Sequence, residues 1–234
     1  MMSGPCLLLI DVQRAFDNPR WGPRNNTEAE RQIARLLAVW RRVGRPVIHV
    51  RHHSTELESP LNPAHPGGGA EFKPEAEPRA GEPVYTKRAN SAFIGATLDR
   101  DLRQSGIETL VVAGFTTDHC VSTTVRMAGN LGYRVWVAAD DCATFDRRDH
   151  AGRTFRAQDI HEAALASLHG EFAMVPTRPR SSRASSSEHA GHLDPLGAAQ
   201  AWRSAAMGSL CAARLAGVRQ ASVVTASSSA VTAA

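Results

Sequence analysis

Residues 110–121, LVVAGFTTDHCV, join an apolar run to a polar segment that carries one cysteine. The run 110–113 is typical of a strand buried on both faces of a sheet. Apolar residues at helical spacing follow, and they predict a helix over 118–131 that begins beside Cys120. A buried strand that leads directly into a helix indicates an α/β fold.

The same alternation of strands and helices continues along most of the chain. Apolar runs bounded by polar residues predict six strands, at 7–10, 46–50, 83–86, 110–113, 133–138 and 172–175. Further helices are predicted between Thr27 and Gly44, over 97–104 and over 159–168. Thr27 with Glu30, and Asp159 with Glu162, form the capping-box pattern of a helix start. These elements predict a three-layer α/β/α architecture around a six-stranded, mostly parallel, Rossmann-like sheet.

Composition divides the chain into a folded domain at 1–179 and a Ser/Ala-rich, low-complexity tail at 180–234. Such segments lack the apolar density for a packed core, so we expect the tail to be disordered apart from a weak helix over 196–218. Within the domain, 54–82 is rich in Pro, Gly and Glu, which predicts a long loop that shapes a site.

Charge and cysteine usage exclude several classes of function. The formal net charge is +4, and five Arg against Glu188 and Asp194 place +3 of it in the tail. The domain therefore carries no basic excess for binding nucleic acid. The four cysteines are scattered singly, which favours a reducing, cytoplasmic compartment over a disulfide framework. The apolar run 6–10 is too short for a signal peptide or a membrane span.

Three chemically complementary residues follow predicted strands. Asp11 and Lys87 end the first and third strands, and Cys120 begins the helix after the fourth. Because the carboxyl ends of parallel strands meet at one edge of a sheet, we expect these side chains to lie together. In that arrangement Asp11 takes the thiol proton, Lys87 favours the thiolate, and Cys120 attacks a carbonyl carbon.

The position of Cys120 also bears on its protonation. A helix N-terminus and a nearby lysine both favour the thiolate, so we expect the pKa of Cys120 to lie below the usual value of about 8.5. His119 is a poorer base than Asp11, because neighbouring helical residues point about 100° apart. Asp118 and His119 are expected to have structural roles at the helix start.

Three separated motifs between about residue 5 and residue 175 resemble the isochorismatase-like cysteine hydrolases. They are Leu9-Ile10-Asp11-Val12-Gln13 with Phe16, Lys87 followed by Ser91-Ala92-Phe93, and the stretch 114–121. The closest pattern is that of the amidohydrolase branch, which includes nicotinamidases, carbamoylsarcosine and ureidoacrylate amidohydrolases and streptothricin hydrolase. The resemblance implies an Asp11–Lys87–Cys120 catalytic triad that cleaves the C–N bond of a small amide or ureido compound through a thioester.

The resemblance also implies features around the triad. A cis peptide would join Phe115 to Thr116, and the backbone N–H groups of Thr116 and Cys120 would form an oxyanion hole. Gln13, Phe16 and Phe93 would line the substrate pocket, although both phenylalanines also suit an ordinary core. The family commonly forms homodimers or larger assemblies, so a homo-oligomer is expected.

Two other functions stay open at this stage. One is cleavage of the vinyl ether of isochorismate, although the enzymes that do this typically lack the cysteine. The other is a non-catalytic domain that binds a small ligand at the same edge of the sheet.

No cofactor is expected. Nicotinamidases typically hold a metal through an Asp-x-His pattern after the second strand, and here that stretch reads Arg51-His52-His53. The pattern is broken, so we expect no metal; a different site built from His52, His53 and His65 matches no standard ligand spacing.

Overall fold

The computed structural model describes residues 4–176, and its centre is a parallel sheet of five strands. The strands are β1 (Cys6–Ile10), β2 (Val47–His52), β3 (Val84–Lys87), β4 (Thr109–Phe115) and β5 (Arg134–Ala143). Their order across the sheet is β3-β2-β1-β4-β5, and each neighbouring pair is parallel. The predicted α/β class and parallel sheet are confirmed.

Within residues 4–176, four α-helices flank this sheet. They are α1 (Ala29–Arg42), α2 (Leu98–Gln104), α3 (Ser122–Asn130) and α4 (Ala157–Leu168). A π-helical turn at Thr117–Val121 precedes α3, and a small antiparallel pair, β6 (Arg147–Arg148) with β7 (Thr154–Phe155), lies between β5 and α4. Among the described residues, no helix is both long and apolar enough to cross a membrane.

Burial of β1 shows why its sequence is wholly apolar. Cys6, Leu8 and Ile10 belong to a core cluster that also includes side chains of α2, α3 and α4. Leu7 and Leu9 alternate with them and point to the opposite face of the sheet, and they are buried too. A strand covered on both faces needs no polar positions, which is why a short apolar run predicted it.

The predicted strand at 172–175 is wrong. Only Met174 reaches the sheet, where its backbone exchanges hydrogen bonds with Val135 and Val137 of β5. The residues before it fold back on the end of α4, since the N–H groups of Phe172 and Ala173 both donate to the Leu168 carbonyl. That reversal leaves one bridge where a sixth strand was expected.

The capping boxes are wrong as well, although both helices exist. The N-cap of α1 is Glu28, with no side-chain cap, and Glu30 instead accepts hydrogen bonds from Arg24 and Lys73. In α4, Asp159 pairs with Arg156. The Asp146 carboxylate accepts from the Ala157 N–H at 2.7 Å and satisfies the start of that helix. Partners distant in sequence have replaced the local ones.

The expected long loop is present between β2 and β3; it contains a 3-10 turn at Pro74–Ala76 and an isolated bridge from Phe72 to Gln13. It runs beside the segment that follows β1, where Ala15 donates to the Gly69 carbonyl and Lys73 donates to the Val12 carbonyl. A Cβ on Gly69 would lie 2.4 Å from the Pro60 carbonyl oxygen, so only glycine fits there. The tail at 180–234 and its predicted helix at 196–218 lie outside the described residues.

Candidate active site

Four side chains meet at the carboxyl edge of the sheet. Asp11 directly follows β1, His52 ends β2, Lys87 ends β3 and Cys120 lies in the π-helical turn after β4. The parallel register places these ends side by side, and His52 is paired with Lys87 across β2 and β3. The structure therefore brings together the three residues predicted from the sequence, and adds a fourth.

The Lys87 ammonium is the centre of this cluster. Its Nζ lies 2.7 Å from Asp11 Oδ2, 3.2 Å from Cys120 Sγ and 3.1 Å from His52 Nδ1. Asp11 and Lys87 are 0% and 1% exposed, while Cys120 is 9% exposed. A buried ammonium ion bridges a buried carboxylate and a thiol, and the thiol is the most accessible of the three.

Backbone geometry turns Asp11 toward this cluster. Its φ is 51°, in the left-handed region that few residues besides glycine, asparagine and aspartate adopt, and its N–H donates to the Val50 carbonyl. Beside it, Gly114 has a φ of 127°, and a Cβ there would lie 2.0 Å from the Ile10 carbonyl oxygen. β4 can therefore approach β1 this closely only because residue 114 is a glycine.

The thiol of Cys120 is not activated in the way the sequence predicted. Burial, followed by the negative charge of Asp11, raises its pKa to about 12, and the Lys87 charge only partly opposes this. The expectation of a lowered pKa is wrong, because the helix start and the lysine were weighed without the cost of removing a thiolate from water. At neutral pH Cys120 is a protonated thiol.

Burial also raises the pKa of Asp11, against the opposing effects of the Lys87 charge and of hydrogen bonds from Lys87 and Cys120. A carboxylate with a raised pKa is a better base than one in water. The pair therefore places a protonated sulfur beside a carboxylate whose pKa is raised.

The sequence predicted His52 only as a possible metal ligand, and not as a neighbour of Asp11, Lys87 and Cys120. The signal was available: it ends a strand at the same edge as Asp11 and Lys87. Asn90 was missed too. Its side chain is exposed, and its Oδ1 lies 3.9 Å from Cys120 Sγ.

One group of potential metal ligands exists among residues 4–176. Ligand atoms of Asp11, His52 and Cys120 lie within 4.8 Å of one another, whereas His53 and His65 are not part of the group. The Lys87 ammonium is within hydrogen-bond distance of all three. A metal ion would have to displace this ammonium, so these residues fit a lysine-centred cluster better than a metal site.

The three residues expected to line the pocket have different surroundings. The Gln13 side chain is fully buried; it donates to the carbonyls of His52 and Ala70 and accepts from the His52 N–H. Phe16 belongs to an aromatic cluster, with its ring centroid 5.6 Å from Phe115. Phe93 is partly buried and stacks on Tyr133 at 5.9 Å.

Asp118, two residues before Cys120, ties the π-helical turn to residues that follow β5. Asp118 forms an ion pair with Arg147 at 2.8 Å and accepts a hydrogen bond from Thr144. Although burial raises the pKa of Asp118, these hydrogen bonds hold it below its usual value. The peptide bond between Phe115 and Thr116 is cis, as the resemblance implied.

A separate surface cavity carries only charged and polar side chains and one proline. Its lining residues are Asp17, Arg24, Thr27, Glu28, Glu30, Arg31, Lys73, Pro74 and Glu75. None of the four clustered side chains borders it, so it is distinct from the candidate active site.

Known proteins match this architecture. An isochorismatase-family hydrolase from Chromobacterium violaceum has 51% sequence identity and a TM-score of 0.71, over 75% of this chain and 91% of that one. The isochorismatase family protein YrdC of Bacillus subtilis is 42% identical over 76% of this chain and 94% of its own length. Maleamate amidohydrolase of Pseudomonas putida is 29% identical over 74% of this chain and 83% of its own.

The agreement extends over the whole described fold. The family model for the isochorismatase domain matches residues 5–178, from the first strand to beyond the last bridge of the sheet. That range contains Asp11, Lys87 and Cys120, together with the strand ends that hold them. This chain belongs to the isochorismatase family of hydrolases.

Proposed function

We propose that this chain is a cysteine hydrolase that cleaves the C–N bond of a small amide or ureido compound through a thioester on Cys120. The observation that carries the proposal is the Lys87 ammonium, which contacts both the carboxylate of Asp11 and the sulfur of Cys120 in a buried site. A binding domain has no need of a buried acid, ammonium and thiol in direct contact, since each costs free energy to bury.

The first half of the proposed reaction forms the thioester. Asp11 removes the thiol proton as Cys120 Sγ bonds to the carbonyl carbon of the substrate, and the N–H groups of Thr116 and Cys120 bind the developing oxyanion. When the tetrahedral intermediate collapses, the C–N bond breaks and the leaving nitrogen takes the proton from Asp11. Ammonia or an amine departs, and the acyl group stays on sulfur.

The second half releases the acid. Asp11, again a carboxylate, takes a proton from water while the water oxygen attacks the thioester carbon. The C–S bond breaks, the carboxylic acid leaves, and the proton returns to sulfur. Lys87 keeps its charge throughout and stabilises the negative charge as it passes between Asp11, Cys120 and the oxyanion.

The protonation states support this order of events. The pKa of Cys120 is raised to about 12, and the pKa of Asp11 is raised as well, so the free enzyme holds a thiol beside a strengthened base. Attack and proton transfer then occur together on a bound carbonyl, as in other nucleophiles activated by an adjacent base.

The relatives favour an amide as substrate. One of them is named an amidohydrolase, and the cysteine that such chemistry needs is present here as Cys120. Phe16 and Phe93 are proposed to form apolar walls of the pocket, with Gln13 behind them. The exposed carboxamide of Asn90 lies beside the sulfur and is a candidate partner for the polar part of the substrate.

A panel of small amides, assayed for ammonia release, tests the proposal. The parent enzyme is expected to hydrolyse at least one of them, and Cys120→Ala is expected to abolish that turnover. Cys6→Ala is the matched control, because Cys6 is a buried cysteine in β1 outside the cluster.

Two results would count against the proposal. Full amidase activity in Cys120→Ala would exclude the thioester. If the enzyme releases pyruvate from isochorismate and releases no ammonia from any amide of the panel, its activity is vinyl-ether cleavage instead.

A further inference from the structure

The Lys87 ammonium has three N–H donors, and the structure provides three acceptors for them. Two acceptors, Asp11 Oδ2 and Cys120 Sγ, take part in the proposed reaction. The third is His52 Nδ1, at 3.1 Å. An ammonium ion held by one ion pair and two hydrogen bonds in a buried site has one well-defined position, whereas one with two neighbours can pivot about them.

The contact with Lys87 sets the tautomer of His52. An ammonium group has no lone pair, so the Nδ1 atom 3.1 Å from Lys87 Nζ can only accept a hydrogen bond from it, which leaves the proton of a neutral ring on Nε2. With Nε2 protonated, Nδ1 carries the lone pair that faces Lys87. The ring is therefore held as an acceptor toward the ammonium.

The backbone of His52 is also fixed. The Gln13 amide donates to the His52 carbonyl at 3.0 Å and accepts from the His52 N–H at 2.8 Å. Gln13 lies two residues after Asp11, so the same short segment that supplies the base also holds His52. These contacts form a continuous chain from Gln13 through His52 to Lys87.

We propose that His52 is a positioning residue that holds the Lys87 ammonium between Asp11 and Cys120. The inference rests on the proposed function, since it assigns His52 a task in that reaction. His52 touches no reacting atom in this mechanism and acts through Lys87. Its effect is expected on the chemical step and not on substrate affinity.

His52 is suited to this task because it stays neutral. Burial, followed by the charges of Lys87 and of neighbouring His53, lowers its pKa to about 4. The groups around the ring are Lys87 from β3, Asp11 after β1 and Cys120 after β4, together with His53. A protonated His52 would repel Lys87 and lose the acceptor on Nδ1.

Substitutions at His52 test the proposal. His52→Leu removes the acceptor at similar bulk, and we expect kcat to fall about tenfold or more with KM within about twofold, the range for a lost hydrogen bond to a charged group. His52→Asn returns an oxygen near the position of Nδ1 and should recover most of the lost kcat. His65→Leu is the matched control, because His65 lies in the loop between β2 and β3, accepts from the Gly67 N–H and is not in the cluster.

Two measurements separate this proposal from the proposed function. The pH profile of Cys120 alkylation needs no substrate, and we expect it to move to higher pH in His52→Leu and to return in His52→Asn. In the unaltered protein, 15N NMR at pH 7 should show His52 protonated on Nε2 alone, a test that survives failure of any variant to fold.

An unchanged kcat and alkylation profile in His52→Leu would overturn the proposal, as would a proton on Nδ1. Equal loss in His52→Leu and His52→Asn would overturn it too, since the acceptor would then not matter. Absence of amide hydrolysis in the parent, with the alkylation and NMR results as expected, would overturn the proposed reaction and leave His52 as the residue that positions Lys87.

Discussion

Cys120 shows how burial decides the protonation of a thiol. Its thiol lies at a helix start and 3.2 Å from an ammonium, two features that favour a thiolate. Yet its pKa is raised to about 12, because desolvation is the largest effect and the Asp11 charge adds to it. A protonated thiol beside the Asp11 carboxylate, and not a preformed thiolate, is the resting state that this raised pKa predicts.

The rate of Cys120 alkylation by iodoacetamide tests that resting state. Only the thiolate reacts, so a raised pKa means slow labelling at pH 7 and a rate that keeps rising beyond pH 8.5. Asp11→Asn removes a charge that raises the pKa and should speed labelling at a given pH, while Lys87→Met removes a charge that lowers it and should slow labelling. At pH values below the pKa, each change of one pKa unit changes the fraction of thiolate, and so the labelling rate, tenfold.

Mass spectrometry of the labelled peptide gives the rate at Cys120 separately from those at the other cysteines. The unfolded protein is the internal reference, since its Cys120 has an ordinary pKa. A midpoint below 8.5 in the folded protein would show that the lysine and the helix start outweigh burial.

At the scale of single residues, the sequence predicted which residues form the cluster better than it predicted their protonation. Asp11, Lys87 and Cys120 could be found because each follows a predicted strand, and strand ends converge in a parallel sheet. The pKa of Cys120 could not be predicted from the sequence, because it depends on how much protein surrounds the sulfur. The position of His52 beside Lys87 was not predicted, because the stretch Arg51-His52-His53 was compared only with a metal-binding pattern.

Strand β4 illustrates the constraints that act at the scale of elements. Gly114 lies at its end with a φ of 127°, and the space where a Cβ would stand is taken by the Ile10 carbonyl oxygen, 2.0 Å away. Ile10 is the residue before Asp11. The glycine therefore governs both the pairing of β4 with β1 and the position of Asp11.

Gly114→Ala is expected to lower the free energy of unfolding by about 2 to 4 kcal/mol, because β1 or β4 must shift to admit the methyl group. It should also lower kcat, since the shift moves Asp11. Gly132→Ala is the control: its φ is also positive, at 89°, but a Cβ would meet nothing within 4 Å.

Urea denaturation of both variants checks this prediction. In the control, the free energy of unfolding should fall only by the cost of placing an alanine in the left-handed region, about 1 kcal/mol. Equal losses in the two variants would mean that backbone conformation, and not the contact with Ile10, sets the requirement for glycine.

Elements defined by an apolar run were predictable, and elements defined by distant partners were not. Strands β1 to β5 are confirmed because buried strands are apolar whatever lies beside them. The sixth strand failed because the end of α4 turns the chain back before Met174. The capping boxes failed because Arg24, Lys73 and Asp146 reach the helix starts from elsewhere in the chain.

At the scale of the whole molecule, the last contacts with the sheet predict which residues the folded unit needs. The family match ends at residue 178. The last contact with the sheet is made by Met174, whose N–H donates to the Val135 carbonyl at 2.9 Å. Residues up to 179 therefore include all of these interactions.

A variant that stops after Pro179 is expected to keep the urea midpoint of the full chain and its kcat/KM within about twofold. The matched variant stops after Leu168 and so loses the Met174 bridge and the packing of Phe172 and Val175 on the core. It should be clearly less stable, because those apolar side chains and one edge of β5 become exposed to water. Loss of activity or of stability in the first variant would show that residues 180–234 contribute to the working molecule, whereas loss in the second alone places the end of the fold between 168 and 179.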